Sequence, residues 1–213
     1  MTTDSLSRKE RERLRHKEDI MAGALKLFAE KGFHNVSMQE IAAATEFATG
    51  TLYNFFQNKE ALYAELMITC GKEMESLLLP ILEGTESEDQ KLRRFIEAHR
   101  MIFAEHMDVI RLYLGTVGRL SMVMAPSMDD EIERIQVTIL DRLTAVIQSG
   151  AEHGQFRACN AGMAALGLSA MLESLAFSAV TYPQSISMEQ GLPEIEAMFF
   201  DGLRRPEGTS HAD

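Results

Sequence analysis

Tryptophan is absent from this chain of 213 residues, cysteine occurs twice and proline five times. Each shortage excludes something. Cys70 and Cys159 lie far apart with no CxxC spacing, so neither a disulfide framework nor a zinc knuckle is available; both read as reduced thiols. Few prolines and no run of alternating β-branched residues argue against strands and for an all-α chain. The N-terminus is charged and has no apolar run of the signal-peptide kind, which makes a cytoplasmic protein the expectation. There is no glycine-rich phosphate loop, no nucleophile motif and no metal-ligand cluster. His99 and His106 stand seven residues apart on one helix face, but two histidines do not make a metal site. The expectation is therefore no enzyme, no metal and no cofactor.

What the chain does have is negative charge, unevenly spread. The net charge is −11, yet cations and carboxylates are equal in number over residues 1–60, so the whole excess falls beyond them. Arg8, Lys9, Arg11, Arg13, Arg15 and Lys17 crowd the start of the first helix. Such a run is either a solvated, frayed terminus or a basic arm held against phosphates.

The most informative stretch is Ile41 to Leu62, IAAATEFATGTLYNFFQNKEAL. Ser37-Met38-Gln39-Glu40 is a capping box before the apolar Ile41, so a short helix starts there. A second short helix is expected from about Thr49 to Phe56, with Leu52, Phe55 and Phe56 able to face inward. Asn58 caps a third, long helix. Helix, turn and second helix with small polar residues at its start is the plan of a major-groove reader.

These residues resemble the tetracycline-repressor (TetR) family. The resemblance rests on Ala24 to Phe33 (ALKLFAEKGF), Val36-Ser37, Ile41-Ala42, Gly50-Thr51-Leu52-Tyr53, Phe56 and Asn58 to Leu62, and covers roughly residues 17 to 66. It implies an all-α protein with a three-helix, helix-turn-helix DNA-binding domain over 1–58 (motif about 37–56). A larger C-terminal effector-binding and dimerisation domain over 59–205 and a frayed tail, 206–213, complete it. It implies a ligand-responsive regulator, a repressor, that binds a palindromic double-stranded operator as a homodimer and is released by a small-molecule effector. Ser37, Gln39, Thr49, Gly50, Thr51, Tyr53, Asn54 and Lys59 are the expected DNA-binding residues. Threonine and asparagine can reach base edges or phosphates, and the Tyr53 hydroxyl a phosphate.

Two positions depart from the family pattern. Thr45-Glu46-Phe47 fills the turn where glycine is common, so either Glu46 takes a strained conformation or the turn differs. Ala48 is a poor cap, which leaves Thr49 to cap the second helix, and Thr49 replaces a usual cation. The electrostatic load then shifts to Lys59 and the basic N-terminal residues.

Nine or ten helices are predicted in all. Ser7-x-x-Glu10 opens the first, which stops at Lys31-Gly32. The long helix after Asn58 runs toward Pro80. An acidic linker, Glu83 to Glu88, precedes a helix capped by Ser87-x-x-Gln90. A shorter helix follows near Val109 to Leu120, with a stop at Ala125-Pro126-Ser127. A long helix then ends at His153-Gly154, and a last one follows Ser187. Between Asn160 and Glu189 the only charge is Glu173. A segment apolar all round is buried or lies in a membrane. Its Ala, Gly and Ser content and central Glu173 favour burial between two subunits over a membrane span. Ala164, Gly167, Leu168, Met171 and Leu175, with Phe199 of the last helix, are the expected dimer contacts. Eleven of the 14 methionines lie after residue 60, which suits an adaptable pocket as well as ordinary core filling. His99, Phe103, Arg111, Tyr113, Arg119 and Glu173 are candidate effector contacts.

Overall fold

The computed structural model describes residues 7–117, 130–184 and 186–204. These form eight α-helices and one 3-10 turn, with no strand among the described residues. The helices are α1 (Arg8–Lys31), α2 (Met38–Ala44), α3 (Thr49–Phe55), α4 (Lys59–Leu82), α5 (Glu88–Val117), α6 (Asp130–Glu152), α7 (Ala161–Thr181) and α8 (Met188–Leu203). The 3-10 turn is Phe33–Asn35.

Local chemistry sets the ends of the first helices. The Ser7 N–H donates to the Glu10 carboxylate at 2.8 Å and the Glu10 N–H to the Ser7 hydroxyl at 3.3 Å, which starts α1. Gly32, at φ 81, ends it in a conformation that side chains resist. Ser37 and Glu40 repeat the capping box on α2. Glu40 also accepts from the Lys31 ammonium at 2.8 Å, which pins the end of α1 to the start of α2. That bond first, and then those from Ser37, hold the Glu40 carboxyl down to about 2. Ile20, Ala24, Phe28, Ile41, Leu52, Leu62 and Tyr63 close the core of this head. Gly23 allows the close crossing: a Cβ there would stand 2.3 Å from the Thr45 methyl.

Three expectations need adjustment. The helix that runs toward Pro80 continues past it: Pro80 lies inside α4, two residues before its last residue Leu82. The two helices expected between Ser87 and Leu120 meet at a kink at His106, at φ −113 and ψ 16, within the span of α5 and slightly before the expected start at Val109; residues 118–120 lie outside the described set. The stop at Ala125-Pro126-Ser127 and the tail 206–213 also lie outside it.

The described residues divide into two compact units. One comprises 7–69 with 108–117, and the other 70–107, 130–184 and 186–204. The division falls within α4. In the second unit α7 packs on α6 and α8. Phe95, Ile96, Leu143, Ile147, Leu168 and Leu192 are all buried there. Its main polar tie is Glu88, which accepts from the Ser149 hydroxyl at 2.6 Å, from His153 Nδ1 at 3.0 Å and from the Gln155 amide at 2.5 Å. The carboxyl is lowered to about 2, chiefly by the Ser149 bond. Serine, histidine and an acid meet here as in a hydrolase triad, but Ser149 already gives its proton to the carboxylate. The group clamps the start of α5 to the end of α6.

Candidate nucleic-acid interface

The candidate DNA surface is built on a turn whose strain is visible. Glu46 has φ 59 and is the one described non-glycine residue in the left-handed region. It follows the α2 cap Thr45, and the next N–H, of Phe47, bonds back to the Ala42 carbonyl at 3.1 Å. This is a Schellman closure with glutamate where glycine is usual. Such a residue costs on the order of 1 kcal/mol or more. An edge contact between the Phe47 and His16 rings, 5.1 Å between centroids, anchors the turn and offsets part of that cost.

The turn delivers α3 with Leu52 buried beneath it and the opposite face bare. Gly50, Tyr53 and Asn54 are exposed, Tyr53 at 49%, and Thr49 and Thr51 are half-buried. Gln39 and Ser37 are exposed at the start of α2. The Ser37 hydroxyl is occupied by Glu40, accepting from its N–H at 3.2 Å and donating to its carboxylate at 3.1 Å. Thr49 does not cap α3. Ala48 is the N-cap, with no side-chain bond, and Thr49 is the first helical residue. The helix is closed instead by the Ala48 carbonyl, which accepts from the N–H groups of Thr51 and Leu52 at 2.8 and 3.3 Å.

Lys59 is placed differently from a free phosphate-binding cation. Its ammonium donates to the carbonyls of Phe33, His34 and Val36 at 3.1, 3.4 and 3.2 Å and sits 4.7 Å from the Phe33 ring centroid. Three hydrogens meet three carbonyls, so the side chain braces the α1–α2 connection to α4. Those acceptors lie 23 to 26 residues away in sequence, beyond any local pattern.

The effector candidates fall in both compact units. His99 is buried, its Nδ1 donates to the Phe95 carbonyl at 2.8 Å, and its ring lies between those of Phe95 and Phe103. Burial drives its pKa down to about 4, so it is a neutral core histidine near pH 7. Phe103 is equally buried. Glu173 is half-buried in the same unit. Arg111 and Tyr113 belong to the other unit; Arg111 is exposed and paired with Asp108 at 2.7 Å. Arg119 lies outside the described residues.

The expected dimer contacts also separate. Leu168, Leu175 and Phe199 are buried in the core of their own unit. Leu175 fills the space over Gly191, where a Cβ would lie 2.2 Å from its methyl. Ala164 and Met171 are half-buried, and Gly167 is exposed with open space around it. The outer apolar side chains missed in the sequence are Met163 and Met198, each 65% exposed. α7 is nearly uncharged and has no polar face to show which side points out, so periodicity could not find Met163. By length and composition α7 could also cross a membrane. Among the described residues no group of three or more His, Cys, Asp or Glu could hold a metal.

A strained helix-turn-helix with one bare polar face, joined to a larger helical unit, defines a DNA-binding regulator. Comparison with known proteins agrees. Residues 20–66 match the family described as bacterial regulatory proteins, tetR family, and residues 85–177 match the tetracyclin repressor-like C-terminal domain. This chain belongs to the TetR family of transcriptional regulators. YhgD, an HTH-type transcriptional regulator of Bacillus subtilis (strain 168), is 24% identical over 163 residues, 76% of this chain and 82% of its own length. Among solved structures, FadR from Bacillus subtilis in complex with stearoyl-CoA superposes at a TM-score of 0.71 and 17% identity, covering 88% of this chain and 99% of that one. AibR in complex with isovaleryl coenzyme A and operator DNA gives 0.68 at 19% identity, covering 86% and 97%. At these identities the likeness is one of fold.

Proposed function

We propose that this regulator binds a palindromic operator as a homodimer, represses from it, and leaves it when a small molecule occupies the C-terminal unit. The observation that carries the reading is the α3 face. Gly50, Tyr53 and Asn54 stand in solvent with no role in the protein's own core, while Leu52 behind them is fully buried. A seven-residue helix is marginal by itself. Holding one rigidly with its outer side empty makes sense as presentation to a groove. Thr49, Thr51 and Gln39 flank that face, and Ser37 and Lys59 support it from within the head.

Dimerisation is supported by the outer side of α7 and α8. Met163, Gly167 and Ala170 on α7 and Met198 on α8 are exposed, and three of these four are apolar side chains of the kind that a second copy would cover. A two-fold dimer presents two α3 helices, which is why a palindrome is the matching target. Effector response is supported by α4, a single helix that starts in the head and ends in the other unit.

The same fold accommodates acyl-CoA in FadR and AibR, so stearoyl- and isovaleryl-CoA are the first effectors to try. Coupling of this kind is worth roughly 1–3 kcal/mol, or about 5- to 150-fold in affinity, and acts equally in both directions. Calorimetric titration with each thioester, with and without operator, is the test. A ligand that binds should bind more weakly to the DNA complex by the same factor by which it weakens the DNA. A thioester that binds tightly and leaves operator affinity unchanged would refute release by that ligand class.

A further inference from the structure

We propose that the first two turns of α1 are an ordered phosphate clamp, with Arg8, Arg11 and Arg15 along one side and Lys9 and Arg13 along the other. It rests on the reading that α3 faces DNA, and it supplies what that face lacks. The α3 sequence, Thr-Gly-Thr-Leu-Tyr-Asn-Phe, carries no charge. Lys59 is tied to backbone carbonyls, and Lys31 to Glu40. A DNA-binding head needs cations from somewhere, because phosphate contact supplies most of the non-specific affinity.

Three observations place them on α1. First, the Ser7–Glu10 capping box starts the helix at Arg8, so the cations stand on a helix of fixed pitch rather than on a loose arm. Second, their charge is unspent. Among the described residues Arg8, Lys9, Arg11 and Arg13 form no ion pair, and Arg15 meets Asp19 only at 4.0 Å with both side chains exposed. Most cations of the second unit are paired instead. Arg93 pairs with Asp89 at 2.9 Å, Arg100 with Glu97 at 2.7 Å, Arg134 with Glu75 at 3.0 Å and Arg142 with Glu83 at 2.7 Å. In a chain of net charge −11 carboxylate partners are plentiful, so Arg8, Lys9, Arg11 and Arg13 stand out by forming no ion pair among the described residues, whereas Lys17 and Lys31 further along α1 are paired.

Third, the two rows flank α3. The His16 ring meets Phe47 edge-on just before α3, and Arg8, Arg11 and Arg15 line the hollow beside that ring. On the other side the Arg13 guanidinium lies 5.8 Å from the centroid of Phe55, the last residue of α3. Lys9 is one turn before Arg13 on the same side. Seven residues of helix span about 10 Å, near the roughly 12 Å width of a major groove. A reader in that groove has a phosphate strand on either side, and a cation row stands at either end of α3. Glu12 and Asp19 line the same hollow and oppose the contact, so they cap its strength.

Salt dependence separates this clamp from a solvated helix end. Affinity for a palindromic operator duplex would be measured between 50 and 200 mM salt. The slope of log affinity against log salt should fall by about 0.9 per lost phosphate contact. Arg8→Gln, Arg11→Gln and Arg13→Gln together should therefore flatten it by up to about 5 for a dimer. The same triple variant should lose more than a hundredfold in affinity. Circular dichroism should show an unchanged fold, since all three side chains are exposed. Glu12→Gln should tighten binding. Lys91→Gln, Arg94→Gln and Arg100→Gln in α5, an equal change of net charge, should leave the slope as it was. A native slope in the α1 variant, or an equal flattening in the α5 control, overturns the clamp. Loss of the head reading itself would look different: Tyr53→Ala would then keep native affinity.

Discussion

Replacing Gly50 by leucine should cost at least a hundredfold in operator affinity and leave the fold as stable as before, or more so. The two effects separate because nothing in the protein explains the glycine. Its φ is not in the left-handed region, it is exposed, and a Cβ built on it meets nothing within 4 Å. In a helix, glycine is about 1 kcal/mol worse than alanine, and leucine is close to alanine. The substitution should therefore raise the thermal midpoint slightly or not at all. On the duplex the same side chain would stand between the α3 backbone and the base edges. Each 1.4 kcal/mol of misfit is a tenfold loss. Alanine should lose less than leucine, about tenfold. The loss should be the same at every salt concentration, because no phosphate contact is removed. Fluorescence anisotropy with the operator and a thermal melt are sufficient. Native affinity in the leucine variant would mean that α3 does not lie against DNA.

Gly167→Arg should convert the dimer to monomers at micromolar concentration, with the fold intact. Gly167 is exposed on α7 and has open space around it, so an isolated chain accommodates arginine. Met163, one turn earlier, and Ala170, nearly one turn later, share its side of the helix, and Met198 on α8 adds a second exposed methionine. Covered by a second copy, that position would hold a buried, unpaired charge, typically worth several kcal/mol. Leu168→Arg, one residue along, should instead unfold the second unit, because Leu168 is completely buried. Sedimentation velocity distinguishes the three cases. A native protein that is already monomeric, or a Gly167→Arg variant that remains dimeric, would remove α7 from the interface. Loss of the dimer should also cost operator affinity, since two half-sites are then no longer bound together.

How much of this could be read from the sequence depended on the range of each contact. The capping boxes at Ser7 and Ser37 are complete within four residues, and both formed as predicted. So did the Asn58 cap, which accepts from the Ala61 N–H at 2.8 Å. No glycine announces the left-handed turn at Glu46, and the Phe47–His16 contact that anchors it joins residues far apart in the chain. The same separation in sequence hid the role of Lys59, whose carbonyl partners lie 23 to 26 residues earlier in the chain. The bend at His106 carries no proline or glycine, so composition gave no reason to place it there. On α7 the obstacle was different. Leucine, alanine, glycine and methionine occur on every side of the helix, so which residues point inward is decided by α6 and α8 alone.

Two copies of this chain are expected to grip one palindromic duplex through α3. The most direct measurement is sedimentation equilibrium of the protein on duplexes from the region upstream of its own gene, with hydroxyl-radical footprinting of the duplex that binds. The result expected is two chains per duplex and two protected half-sites related by a two-fold axis, about one helical turn or somewhat more apart. Tyr53→Ala should abolish both. One chain per duplex, protection on one side only, or a footprint that survives Tyr53→Ala would contradict it.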